Sequence, residues 1–312
     1  MSVVVDVVLP VFGIMLAGFL AGRFGLVGDA SSEALNRFVY YVALPALFFV
    51  SLSSVDVGDA LDWSFVAAFA GALFATFVLA IAVALFAFRD RPAVLCLHGL
   101  SAIFSNTGYM GIPLLITAFG EPAKLPAILA TMITGAVVMP VGVVIVELDT
   151  GRGGSPARIL GKVAYAVIRN PLVLSAAGGL LVSLLGLPLP RAIATFCQIM
   201  GSAAGPCALF AIGLFMVGRS LRADLGEVAW LVLLKLLVQP TIAWWLAFEL
   251  FSMPYVWAAS AVILSALPTG ALVFVLAQQY DVYVQRASAA ILISTIVSVF
   301  TLSLLFVVMG VV

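Results

Sequence analysis

Apolar runs of about 20 residues, the length that crosses the hydrocarbon core of a bilayer, follow one another along nearly the whole chain. A backbone in lipid must satisfy its own hydrogen bonds, which a helix does within a single segment. The chain therefore reads as an all-α polytopic membrane protein. Composition agrees: 64% of residues are hydrophobic and 9% are charged, and mean hydropathy is +1.27. Ten spans are predicted, in 4–22, 34–53, 63–88, 93–119, 124–147, 169–187, 192–218, 228–251, 255–279 and 286–310. Fourteen Lys+Arg balance fourteen Asp+Glu, so nothing in the charge calls for a nucleic-acid partner. Cys96, Cys197 and Cys207 lie in apolar segments without metal-ligand spacing and read as packing residues, with no cofactor implied. The first run has Arg23 behind it and no basic stretch ahead of it, the reverse of a cleavable signal peptide.

Loop charges orient the set. With the N-terminus on the non-cytoplasmic side, Arg23, Arg37, Arg89, Arg91, Arg152, Arg158, Lys162, Arg169, Arg219, Arg222 and Arg286 all fall on the cytoplasmic side. Lys124 and Arg191 alone fall outside, and the outer loop "SSVDVGDALDW" holds three aspartates and no base. An even span count then places both termini outside the cytoplasm, in the cytoplasmic membrane.

The basic stretch "ELDTGRGGSPARILGKVAYAVIRN" separates five spans from five. Residues 1–150 form the first unit, 151–168 a cytoplasmic linker and 169–312 the second. Five is odd, so the second unit enters the bilayer with opposite orientation and any repeat is inverted. Span two has "YYVALPALFFVSL" around Pro45, and span seven has "AAGPCALFAIGLFM" around Pro206, an offset of 206 − 45 = 161. Span four has "SNTGYMGIP" up to Pro113, and span nine has "LSALPTGALVF" around Pro268, an offset of 268 − 113 = 155. Matching order and near-matching offsets are what a duplication leaves. Pro45 and Pro206 themselves read as hinge or packing prolines.

Paired interruptions at equivalent places in two halves point to a transport site near the midplane. Pro113 lacks an N–H, and its ring clashes with the preceding turn, so span four is expected to open there. Gly108 and Gly111 are expected to supply unusual backbone angles, and Pro268 to break span nine at similar depth. Unwound backbone survives at membrane depth only against protein or water. The half-helix N-termini so created present free N–H groups and partial positive charge to an anion. Asn106, Thr107, Ser105, Gly108, Ser265, Thr269 and Gly270 are the candidate substrate-binding residues.

Taken together, "FSNTGYMGIPLL", "RNPLVLSAAGGLLVSLLGLPLP", "GPCALFAIGLFMVG", "LPTGALVFVLAQQY" and "ILISTIVSVFTLSLL" resemble the auxin efflux carrier family over essentially the whole chain. The family includes plant PIN-type carriers and bacterial permeases described as malate or malonate transporters. The resemblance implies ten spans in two inverted five-span repeats, akin to bile-acid symporters. It also implies a scaffold group, a crossover group and an elevator-like movement between them. The matching asparagine faces the substrate in PIN-type carriers, which implies the same for Asn106. The long cytoplasmic loop of many plant members is absent here.

Lys235 lies about two turns inside span eight; snorkelling to the inner interface is the favoured reading, with a coupling or gating role the alternative. His98, the sole histidine, has no carboxylate near it in sequence and reads as structural ahead of a proton relay. Gln198, Ser294 and Ser298 are further coupling or gating candidates, the two serines sharing one helix face. Asp6 and Glu249 read as interfacial, and Glu147 and Asp149 as wet. No Asp or Glu lies between Ser101 and Gly120 or between Ser260 and Gln279, which weakens sodium coupling, and proton coupling lacks an evident carrier. Substrate identity, direction, coupling ion and homodimer formation stay open.

The resulting expectation is a secondary transporter of small organic anions, mono- or dicarboxylates, and not an enzyme. No phosphate loop supports ATP-driven transport. An uncoupled facilitator or anion channel is the alternative. A membrane hydrolase would need a nucleophile with a base, for which His98 and a serine are the sole candidates.

Overall fold

A computed structural model describes residues 7–55, 61–87, 90–151, 155–218 and 225–311. Asp56, Asp59, Arg89, Arg152, Arg219 and Arg222, used above for orientation, and Asp6, read as interfacial, lie outside the described residues. Within them the regular structure is helical: α1 Leu9–Arg23, α2 Ala30–Leu52, α3 Trp63–Ala87, α4 Pro92–Ile103, α5 Thr107–Phe119, α6 Glu121–Thr150, α7 Pro156–Ile168, α8 Pro171–Leu184, α9 Arg191–Phe215, α10 Leu225–Leu250, α11 Tyr255–Ser265, α12 Leu272–Tyr280 and α13 Val284–Val308. Six of these (α2, α3, α6, α9, α10 and α13) are long and apolar enough to cross a membrane. A seventh span results if α7 and α8, bent by 53° at their junction, are counted as one. The protein is a multi-pass membrane protein.

Local chemistry sets the helix ends. Asp62 Oδ1 accepts from Phe65 N at 2.8 Å at the start of α3. Asn170 Oδ1 accepts from Leu172 N at 2.9 Å at the start of α8, ahead of Pro171, whose missing N–H costs nothing in a first turn. Gly151 closes α6 in the left-handed region at φ 68°, which a residue without Cβ adopts freely.

The helices sort into two bodies. In one, α1 lies against α9, and α2 against both α8 and α9. Small residues permit this: a Cβ on Gly18 would meet the Phe210 carbonyl, one on Gly213 the Met15 carbonyl, and one on Gly201 the Leu47 backbone. Small residues at membrane helix contacts let backbones approach, and dispersion then replaces the hydrophobic effect that lipid removes. The other body packs α3 and α6 against α4, α10 against α3 and α11, and α13 against α10 and α12.

The two shortest helices preceding a break are the most enclosed. Every residue from Cys96 to Ile103 in α4 and from Ala258 to Ser265 in α11 is buried. Lipid instead meets the outward residues of the long helices, such as Phe74, Phe86 and Phe300, at 70%, 85% and 73% exposure.

Candidate functional site

The stretches 93–119 and 255–279, expected from the sequence as spans four and nine, are both interrupted, and the interruptions touch. The chain leaves helical geometry from Phe104 to Asn106 between α4 and α5, and from Ala266 to Ala271 between α11 and α12. Ser105 and Thr269 face each other as an antiparallel bridge. Gly270 N donates to Phe104 O at 2.8 Å, and Asn106 N donates to Pro268 O at 3.0 Å. Each gap thus supplies backbone partners to the other, the condition for non-helical chain away from water. Pro268 serves only as an acceptor there, so its missing N–H leaves no orphan.

The position of the first interruption differs from the expectation. Pro113 lies inside α5, in its first regular turn, after a π-helical turn at Thr107–Gly111. The break falls ahead of it because Phe104 and Asn106 find partners in the other gap. Gly108, Gly111 and Gly270 do not have positive φ; at Gly111 and Gly270 space is the constraint. A Cβ on Gly111 would meet Leu264 at 2.6 Å, and one on Gly270 would meet Phe104 at 2.9 Å. These glycines let the two broken chains cross closely.

A cavity of about 1060 Å³ opens at the crossing, lined by Ser105, Asn106, Thr107, Gly108 and Gly270. Thr131 and Thr134 of α6, Asn36 and Tyr40 of α2, Asn170 and Gln278 add further polar groups to its wall. Asn106 is half-buried, and its amide makes no side-chain hydrogen bond among the described residues. At the start of α5 Thr107 N donates to Ser105 O at 2.8 Å, whereas the N–H groups of Gly108 and Tyr109 have no backbone partner among the described residues, so partial positive charge lies beside that amide. Thr107 Oγ1 is 3.1 Å from Thr134 Oγ1, and Tyr109 OH donates to Asn36 O at 3.3 Å. Arg37, paired with Glu33 at 2.8 Å and 72% exposed, brings a cation to the lining.

The candidate binding residues therefore divide. Ser265 and Thr269 are absent from the cavity wall and lie behind it: Thr269 Oγ1 donates to Ser101 O at 2.8 Å. Ser294 Oγ accepts from Thr269 N at 3.1 Å, so α13 braces the crossing through Ser294. Ser298 is buried and donates to Thr295 O at 2.7 Å within its own helix. Gln198 is exposed on α9, away from the crossing. Pro45 continues α2 behind a π-helical turn at Val39–Ala43; Pro206 is exposed in α9.

Lys235 does not snorkel. It is 0% exposed, and its Nζ donates to Gln239 Oε1 at 2.7 Å and to Ser265 O at 2.6 Å. Gln239 Nε2 in turn donates to Ile103 O at 3.3 Å. The last residues of α11 and α4 are thus both tied to α10, and the oxygen acceptors there hold the ammonium inside the protein.

His98 has the carboxylate partner that sequence proximity did not supply. Its Nδ1 is 2.7 Å from Glu227 Oε1, and Glu227, in the first turn of α10, is 1% exposed. Tyr283 OH donates to the same oxygen, and Arg286 Nη1 lies 3.1 Å from Glu227 Oε2 and 3.3 Å from Asp90 Oδ2. Burial first, then the Glu227 carboxylate, push the Tyr283 hydroxyl above its ordinary range, which keeps it a donor. Tyr280 OH likewise donates to Glu147 Oε1 at 2.8 Å, so Glu147 is half-buried and partnered where a wet residue was expected. Glu227, Tyr283, Tyr40, Asn36, Thr131 and Thr134 escaped the sequence reading. A lone acid opening the apolar run "LGEVAWLVLL" was the available signal for Glu227.

A cavity that brings polar groups of the two interrupted helices together with residues of α2 and α6, inside a multi-pass helical protein, is the kind of site a membrane transporter needs. The chain belongs to the membrane transport protein family, whose description matches residues 3–306. It is 34% identical over 97% of its length to a Rhizobium meliloti (strain 1021) protein named "Putative malonate transporter", of which it covers 95%. It is 27% identical to an uncharacterized transporter of Methanothermobacter thermautotrophicus, covering 96% of each chain. A 29% identity to the mouse lysosomal cholesterol signaling protein spans 75% of this chain and 28% of that one. The family and these bacterial and archaeal relatives are transporters, not enzymes.

Proposed function

We propose that the protein is a secondary carrier of small organic anions, with mono- or dicarboxylates such as malonate bound at the crossing of the two broken helices. The carrying observation is Asn106: a side-chain amide without a hydrogen bond among the described residues, beside the start of α5, in a cavity of about 1060 Å³. Helix-terminal N–H groups with neutral donors suit a carboxylate without a dedicated buried cation. The name of the Rhizobium relative makes malonate the first substrate to test.

In this reading the chain makes ten crossings as two inverted repeats, 1–150 and 169–312, in the cytoplasmic membrane with both termini on the non-cytoplasmic face. The loop-charge asymmetry and the paired breaks support it. The body of α1, α2, α8 and α9 acts as scaffold, and the crossover body moves against it as an elevator. The cavity at their boundary, walled from both sides, is the support for that mechanism.

The test is uptake of radiolabelled malonate by proteoliposomes. Asn106→Ala is expected to lower kcat/KM at least about tenfold, the equivalent of about 1.4 kcal/mol, with an unchanged melting temperature. Wild-type rates in a folded Asn106→Ala protein would remove the site from the mechanism.

A further inference from the structure

The stretch 151–168, expected as a cytoplasmic linker, contains a helix, α7. α7 does not run on into α8: Asn170 is extended ahead of Pro171, the conformation a residue before proline favours, and the two helices meet at 53°. At about 100° per residue, α7 presents three faces. Ile159 is 1% exposed, and Val163, Ala166 and Val167 on the same side line the cavity at the crossing; α6 and α8 are the neighbours of this helix. Leu160 and Ile168, about two turns apart on a second face, are 58% and 65% exposed. Arg158, Lys162 and the C-cap residue Arg169 form the third face. All three are exposed, and the Arg169 guanidinium lies 4.5 Å above the Tyr165 ring. None of the three makes an ion pair among the described residues, and no Asp or Glu lies between Asp149 and Asp224 in the chain.

An exposed apolar face beside an exposed basic one suits neither water nor hydrocarbon alone. It fits the boundary where acyl chains meet headgroups, and Tyr165 with long Lys and Arg side chains are residue types that settle there. Anionic headgroups supply the negative charge that the protein does not. We infer that α7 lies in the membrane surface and binds anionic phospholipid through Arg158, Lys162 and Arg169. The bound lipid fixes the cavity wall formed by Val163, Ala166 and Val167, so lipid composition sets the transport rate. The occupant is a lipid and not a dissolved anion, because Leu160 and Ile168 need acyl chains beside the same headgroup.

The uptake arm of the test rests on the carrier reading; the thermal arm does not. Wild-type malonate uptake is expected to be at least about threefold faster in phosphatidylcholine vesicles holding about one-third phosphatidylglycerol than in phosphatidylcholine alone. The triple variant Arg158→Gln, Lys162→Gln, Arg169→Gln should match the wild type in phosphatidylcholine and lose the response. Both proteins face the same vesicle surface, so repulsion of malonate by that surface cancels in the comparison. Independently, phosphatidylglycerol added to detergent micelles should raise the wild-type melting temperature by several degrees over phosphatidylcholine, as a ligand of the folded state does, and leave the triple variant unmoved. Salt at about 1 M, where the Debye length is about 3 Å, should erase that shift. Glycerol phosphate, a headgroup without chains, should produce none; an equal shift from it would overturn the lipid assignment in favour of a dissolved anion. Equal thermal responses in wild type and triple variant, or no response in the wild type, would overturn the site. Uptake indifferent to a lipid that stabilises the protein would overturn the link to the cavity. Should the triple variant fail to fold, Lys162→Glu alone is measured the same way, and a response as large as that of the wild type sinks the assignment. If malonate does not move in any vesicle, the substrate assignment fails while the thermal arm still reads α7.

Discussion

Glu227 shows how much of the polar chemistry is invisible along the chain. It lies 129 residues from His98 and 59 from Arg286 (286 − 227), and no local pattern marks the three as partners. The fold brings them together because α4, α10 and α13 pack on one another. A carboxylate 1% exposed is tolerable only while its partners hold it. Glu227→Gln keeps the shape and removes the charge. It is expected to cost about 3–5 kcal/mol, the range for breaking a buried pair from one side. The check is a thermal melt of the detergent-solubilised protein, with a fall of several degrees expected. Asn106, by contrast, was legible: a polar residue amid glycines inside an apolar run has little to gain from lipid. Lys235 was legible as unusual but not as buried, since a lysine two turns from an interface has the reach to leave the membrane and its oxygen partners lie in other helices.

At the scale of elements, the existence of two broken helices could be read from the chain and the place of the first could not. Pro113 and the glycines announce a weak helix. The three residues that unwind are decided by reciprocal hydrogen bonds with Pro268 and Gly270, which are non-local. Proline then sits where a first turn tolerates it. Helix contacts were legible only as a surplus of glycine: Gly18 and Gly213 meet backbone carbonyls across the α1–α9 contact, whereas Gly13 meets nothing within 4 Å. Gly213→Val forces α1 away from α9 and should destabilise by about 1–3 kcal/mol, the usual scale of overpacking. Gly13→Val serves as the control and should leave the melting temperature within a degree or so of wild type. Equal effects at both positions would refute the close-contact account.

Across the whole molecule, the cavity is walled by both bodies, with Asn36 and Tyr40 on the α2 side and Asn106 to Gly108 on the crossover side. An elevator requires these walls to slide past each other. The Tyr109 hydroxyl, 3.3 Å from Asn36 O, marks a point where the bodies touch. Asn36→Cys with Tyr109→Cys, in a background with Cys96, Cys197 and Cys207 replaced, should cross-link through a short bis-methanethiosulfonate, which joins the two cysteines by reducible disulfides. Cross-linking is expected to stop uptake reversibly, with full recovery on reduction. Undiminished uptake by the quantitatively cross-linked protein would exclude relative motion at that point. The two-body division itself could not be read from hydropathy, because lipid-facing and scaffold-facing surfaces are equally apolar.

The crossing is fastened by main-chain groups: Phe104 O to Gly270 N and Asn106 N to Pro268 O. Main-chain bonds persist under side-chain replacement. A lineage could therefore exchange the residues at 105, 106 and 107 for a new cargo while the joint that carries them stays intact, so that selectivity drifts without dismantling the machine.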